Sequence, residues 1–116
     1  MPTMDTERLQ IFFDLSMSLL ATADADTGQF VDLNPAWEQT LGWSLEELRA
    51  RPFVEFIHPE DLDRTNALVM DMIERELPAV NFENRYLHKE GHWVWLSWVG
   101  VVHEDRFYSA ARDITP

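Results

Sequence analysis

Read for the spacing of its apolar positions, the chain changes period more than once. Leu9, Phe12, Phe13, Met17 and Leu20 recur at helical intervals, so residues 5–20 read first as a helix, with Asp5 and Thr6 able to cap its start. That period fails near Met17 or Ser18. Leu19 to Ala23 reads better as a short strand closed by the turn cluster Asp24–Gly28, and Gln29 to Leu33 supplies a hairpin partner. Asn34 and Pro35 then open a short helix, Asn34 as its cap and Pro35 at its first position, and Gly42 ends it. Ser44-Leu45-Glu46-Glu47 is a capping box for another short helix, which Pro52 stops.

Phe53 to Ile57 is an apolar connector into the main helix, which His58-Pro59-Glu60-Asp61 opens with proline and acids where a helix N-terminus favours them. Its predicted buried stripe is Leu62, Thr65, Asn66, Val69, Met72 and Ile73, and Leu77-Pro78 ends it. The rest alternates. From Ala79 to Leu87, Val80, Phe82 and Tyr86 share one face, with Asn84 among them, and Asn81, Glu83 and Arg85 share the other. Lys89-Glu90-Gly91 turns the chain into Trp93–Val102, which is apolar on both faces and so demands cover on both. The short helices cover one face, leaving the other to the N-terminal helix or a second copy. Glu104-Asp105 leads into a last strand, Phe107 to Asp113. The order is α+β with an antiparallel sheet of about five strands.

Composition narrows what such a domain does. The 116 residues make one domain, and 46% hydrophobic content with five Trp and seven Phe argues for a packed core rather than disorder. Nine basic against twenty-one acidic residues give a formal charge of −12, which repels phosphate backbones and anionic headgroups and argues against nucleic acid and membrane surfaces. There is no cysteine, which removes disulfides, thiolate metal sites and thiol nucleophiles, and leaves the cytoplasm as the default compartment. No apolar run reaches the ~18 residues of a membrane span, and the polar, acidic stretch Met1 to Gln10 does not read as a secretory signal.

Several short motifs fall in a familiar order: Asn34, Ala36 and Trp37; Leu41-Gly42-Trp43; Glu47-Leu48; His58-Pro59-Glu60-Asp61; Arg85; Lys89-Glu90-Gly91 with Trp95; and Asp113-Ile114-Thr115. In combination they resemble the PAS domain, the sensory-box module of bacterial histidine kinases and diguanylate cyclases, over roughly residues 17–115. The resemblance implies a five-stranded antiparallel sheet of order 2-1-5-4-3, helices cradling one face over a pocket, and an N-terminal cap helix. It divides the chain into a cap and dimerisation segment, 1–17, and a sensory unit, 18–116. It also implies that Asp113 and Thr115 mark the exit toward a C-terminal effector, a diguanylate cyclase or histidine kinase domain, with the chain ending at that boundary.

Trp37, Leu41, Phe56, Val69, Met72, Phe82, Leu96 and Trp98 are the candidate walls of the implied pocket, with Asn84 and Tyr86 as its polar groups. The same spacing serves a plain packed core. Flavin photochemistry through a cysteinyl adduct is excluded, because there is no cysteine. Haem is disfavoured, since the main helix carries no histidine and His58 precedes it; no cofactor is identified. His88 and His92 lie four apart, but Lys89 and Gly91 make the segment a turn rather than a metal-binding helix face. Of the carboxylates Asp61, Asp63, Asp71 and Glu83, most fall on faces expected to be wet, and no nucleophile motif or phosphate loop is present, so no catalytic residue is assigned. The N-terminal helix is apolar on more than one side. Leu9, Phe12 and Phe13, with Ile11 and Leu15 as surplus, point to a homodimer seam. Two readings follow: a small-molecule sensor working through dimer geometry, and a ligand-free dimerisation or docking module.

Overall fold

The computed structural model describes residues 5–116; the first four residues of the 1–17 segment lie outside them. The order is α1 (Thr6–Leu15), β1 (Leu19–Asp24), β2 (Phe30–Leu33), α2 (Ala36–Leu41), α3 (Leu45–Arg49), two 3₁₀ turns (Phe53–Phe56 and Pro59–Asp61), α4 (Leu62–Arg75), β3 (Ala79–Leu87), β4 (Trp93–His103) and β5 (Arg106–Asp113). The five antiparallel strands run β2-β1-β5-β4-β3, and the helices from α2 to α4 pack on one face.

Local chemistry explains most boundaries. Asp5 accepts from the Arg8 N–H at 2.8 Å and caps α1. The Ser44/Glu47 box closes in both directions, at 3.1 and 3.0 Å. Gly42 ends α2 at φ +80°, a conformation that penalises a Cβ. Glu104 and Asp105 both take positive φ in the tight turn between β4 and β5.

The core between helices and sheet is built from Leu19, Leu33, Trp37, Leu41, Leu48, Phe56, Met72, Tyr86, Val94, Leu96 and Phe107. Four expectations are corrected there. α1 ends at Leu15 and Leu20 stands in β1, as the strand reading of Leu19 to Ala23 has it, but α1 buries none of its residues. The outer sheet face is therefore not covered by α1: Val99 and Val101 each remain 48% exposed. Along α4 the inward stripe is Leu62, Thr65, Leu68, Val69 and Met72, while Asn66 and Ile73 face out. In β3 the register slips between Ala79 and Phe82, a bulge with Asn81 at φ +51°. The extra residue turns Val80 outward while Phe82 stays half-buried, so the two do not share a face.

Asn34 is the fourth correction. The N-cap position of α2 falls to Pro35, and Asn34 is fully buried. Its Oδ1 accepts from Leu20 N–H at 2.9 Å, and its Nδ2 donates to the carbonyls of Phe13, Ser16 and Ser18 at 3.1, 3.4 and 2.9 Å. One side chain thus joins the end of α1 to the start of β1, meeting carbonyls that a helix end leaves unpaired.

Candidate functional site

A cavity of about 80 Å³ lies between α4 and the inner face of the sheet. Small residues make the space: Ala23, Ala79, Gly100 and Ser109 stand where larger side chains would fill it. Gly100 has little choice, since a Cβ there would lie 2.9 Å from the Tyr108 carbonyl oxygen. Val69, Met72, Phe82, Asn84, Tyr86 and Trp98 come together on the lining, with Phe30, Phe53, Thr65, Leu68, Val99 and Phe107. Trp37, Leu41, Phe56 and Leu96 are not on the lining but are packed fully into the core. Trp37 backs the wall: its ring lies 4.9 Å from Phe30, 5.9 Å from Trp98 and 6.1 Å from Tyr86, and its Nε1 donates to the Leu20 carbonyl at 3.0 Å.

The polar groups of the cavity form a chain. Trp98 Nε1 donates to Asn84 Oδ1 at 2.7 Å, Asn84 Nδ2 donates to Thr65 Oγ1 at 3.3 Å, and the Thr65 hydroxyl donates to the Asp61 carbonyl at 2.8 Å. Asp61, one of four carboxylates most of which are expected on wet faces, is buried at the edge of β3. Its carboxylate accepts from the Arg85 N–H at 2.8 Å, from Arg85 Nε and Nη2 at 2.9 Å each, and from Arg64 Nη2 at 3.1 Å. These bonds, led by the Arg85 side chain, hold its carboxyl well below the usual carboxylate range, and they raise the Arg85 guanidinium in return. The backbone of β3 is met along the same edge, by His58 N–H on the Arg85 carbonyl at 2.9 Å and by Arg64 Nη2 on the Glu83 carbonyl at 3.0 Å.

Arg85 continues outward, its guanidinium lying 4.8 Å over the Trp95 ring. Trp95 in turn holds the end of the chain: its N–H donates to Thr115 Oγ1 at 3.0 Å, and Ile114 N–H donates to its carbonyl at 2.9 Å. Asp113 Oδ1 accepts from Thr115 N–H at 2.9 Å. The sequence places Thr65 on the buried stripe of α4 but not in the pocket, and it does not single out Asp61 or the small residues on the lining. Acids at a helix start suit the helix dipole, and a residue that makes space by being small carries no pattern.

The remaining candidates are placed as follows. His58 Nδ1 accepts from Glu60 N–H at 3.0 Å and caps its turn. His88 and His92 stack at 4.2 Å in the β3–β4 turn, where His88 Nδ1 accepts from Glu90 N–H at 3.0 Å. Among the described residues no three His, Cys, Asp or Glu side chains gather as a metal site, and no helix is long and apolar enough to cross a membrane. On α1, Phe13 is half-buried beside Leu33, whereas Leu9, Ile11, Phe12 and Leu15 are exposed, Phe12 by 65% and Leu15 by 74%.

A family model described as the PAS fold matches residues 30–110. The Escherichia coli K12 protein described as a probable diguanylate cyclase, DgcE, is 36% identical over 81 residues, a match that spans 70% of this chain and only 7% of that protein. Among solved structures, the PAS domain of a Colwellia psychrerythraea protein is 25% identical with a TM-score of 0.77, over 94% of this chain and 96% of that one. A domain of a sensory box sensor histidine kinase/response regulator from Geobacter sulfurreducens shares the fold at a TM-score of 0.80 and 16% identity, over 93% of each chain.

Proposed function

The chain belongs to the PAS fold family, and from that premise we propose that it is the signal-input module of a larger bacterial signalling protein. It holds a small molecule between helices and sheet and relays its presence to a C-terminal effector. The observation that carries this reading is the run of contacts from cavity to exit: Asn84 and Thr65 on the lining, then Asp61, Arg85, Trp95 and Thr115. A ligand that prefers one packing of Asn84 and Thr65 biases the same equilibrium at Asp113 and Thr115. The E. coli relative favours a diguanylate cyclase as the effector; a histidine kinase is the other class. In this reading the module does no chemistry of its own, carries no metal or haem, and works in the cytoplasm. Residues 1–17 are its pairing segment and 18–116 its sensory unit, with Leu9, Ile11, Phe12, Phe13 and Leu15 forming the seam between two copies.

The modest cavity favours a second reading, a ligand-free dimerisation module, since sites for drug-sized molecules occupy about 300–1,000 Å³. Native mass spectrometry of the gently purified protein separates the two. A dimer carrying an added small mass supports the sensor, an empty dimer the ligand-free module, and an empty monomer overturns the pairing seam.

A further inference from the structure

We infer that the cavity selects an uncharged molecule smaller than benzene, one of whose atoms accepts a hydrogen bond from the Tyr86 hydroxyl. The inference rests on the sensor reading above and adds to it the chemical class of the signal.

Size comes first. An apolar cavity of about 150 Å³ holds benzene, and this one measures about 80 Å³. Charge comes second. No Asp, Glu, Lys, Arg or His stands on the lining, so an ionised ligand would be desolvated without a partner. The nearby Arg64 guanidinium lies 5.2 Å over the Phe82 ring and is already committed to Asp61 and the Glu83 carbonyl.

Hydrogen-bonding capacity comes third. Trp98, Asn84 and Thr65 are turned toward one another and the Asp61 carbonyl. Tyr86 is different: it is 2% exposed, yet its hydroxyl bonds to no described residue. Every fully buried side-chain nitrogen and oxygen among the described residues is paired, so the unpaired Tyr86 hydroxyl keeps some accessible surface, and Tyr86 stands on the cavity lining. Ser109, the other free hydroxyl on the lining, is only half-buried. Burial pushes the Tyr86 phenol well above its ordinary value, so it stays protonated and acts as a donor. A ligand that supplies no acceptor leaves that donor unsatisfied in an apolar space.

The test is an NMR titration of the whole chain, following the Trp98 indole N–H, with three probes of equal heavy-atom count. Butanone carries the acceptor, 2-methyl-1-butene replaces its oxygen by a methylene group, and propionate carries the charge. Butanone is expected to shift the Trp98 signal and to bind about three- to tenfold more tightly than the alkene, the worth of one hydrogen bond. Tyr86→Phe keeps the ring against Trp37 and Trp98 and is expected to abolish that preference while leaving alkene binding intact. Propionate binding as tightly as butanone, or a preference that survives Tyr86→Phe, overturns the ligand class and leaves the sensor reading standing. Failure of all three probes to bind overturns the ligand class; the sensor reading itself falls only if the protein is found empty in the native mass measurement.

Discussion

Replacing Asp61 by asparagine keeps the shape of a buried group and removes its charge. The native carboxylate accepts four hydrogen bonds, three from Arg85 and one from Arg64. Each carboxylate oxygen accepts two of these bonds and an amide offers one oxygen, so two bonds become an N–H facing an N–H. Breaking a buried ion pair by removing one partner costs about 3–5 kcal/mol. Here the two arginine side chains are 20% and 52% exposed and can rehydrate, which lowers the expected loss to about 2–3 kcal/mol. For a domain of this length that is a fall in Tm of roughly 8–12 °C. Urea unfolding followed by tryptophan fluorescence reads it directly, since Trp37, Trp95 and Trp98 all sit around the core and sheet. The pH dependence fixes the cause. Because the folded carboxyl is held below its unfolded value, its contribution is complete above the unfolded value and disappears as pH falls through the folded one. The gap between native and variant chains is therefore constant from about pH 7 to pH 5 and narrows only below about pH 4. A gap under about 1 kcal/mol at neutral pH, or one that already closes between pH 7 and 5, refutes the argument.

Two further substitutions probe the N-terminal side. Asn34→Ala leaves the Leu20 N–H and the Phe13 and Ser18 carbonyls without their buried partner, so a loss of about 2–3 kcal/mol in urea unfolding is expected. Hydrogen exchange at the Leu20 amide should accelerate with it, and unchanged protection there would count against the clamp. Phe12→Asp combined with Leu15→Asp should turn dimer into monomer in analytical ultracentrifugation, with unfolding free energy of the single chain changed by less than about 0.5 kcal/mol, because both side chains are exposed within one copy. A dimer that persists in the double variant places the seam elsewhere.

The parts of the fold legible in the sequence were those set by short-range chemistry. Ser44 with Glu47, Gly42 after Leu41, and the Glu104-Asp105 turn each act within a few residues, and each stands where its pattern put it. The strand order came through the resemblance carried by the motifs rather than through periodicity, which does not encode which strands are neighbours. What stayed hidden was long-range. Asn34 looked like a helix cap because a cap is the local use of asparagine, whereas its bonds run to residues 13–20. The bulge at Val80 and Asn81 is a property of pairing with β4 and has no signature in β3 alone. The candidate pocket divided along the same line. Large residues with a helical or alternating period were easy to name, but whether Phe82 borders empty space while Leu41 fills it depends on Ala23, Gly100 and Ser109 from other strands.

The way β3 is finished constrains what the chain can assemble into. An edge strand with free backbone groups invites another strand to add to it, and each addition exposes a fresh edge, so growth has no natural end. Here the turn at His58–Asp61 and the Arg64 side chain occupy the outward groups of β3 between Glu83 and Arg85, and β2 at the other edge is only four residues long. Association is left to faces: the exposed rows on α1 and on β4. A contact between like faces closes on itself about a two-fold axis and stops at two. The Asp61–Arg85 lock therefore guards one edge of the sheet against strand addition, and its loss is expected to appear first as light scattering rather than as a missing signal.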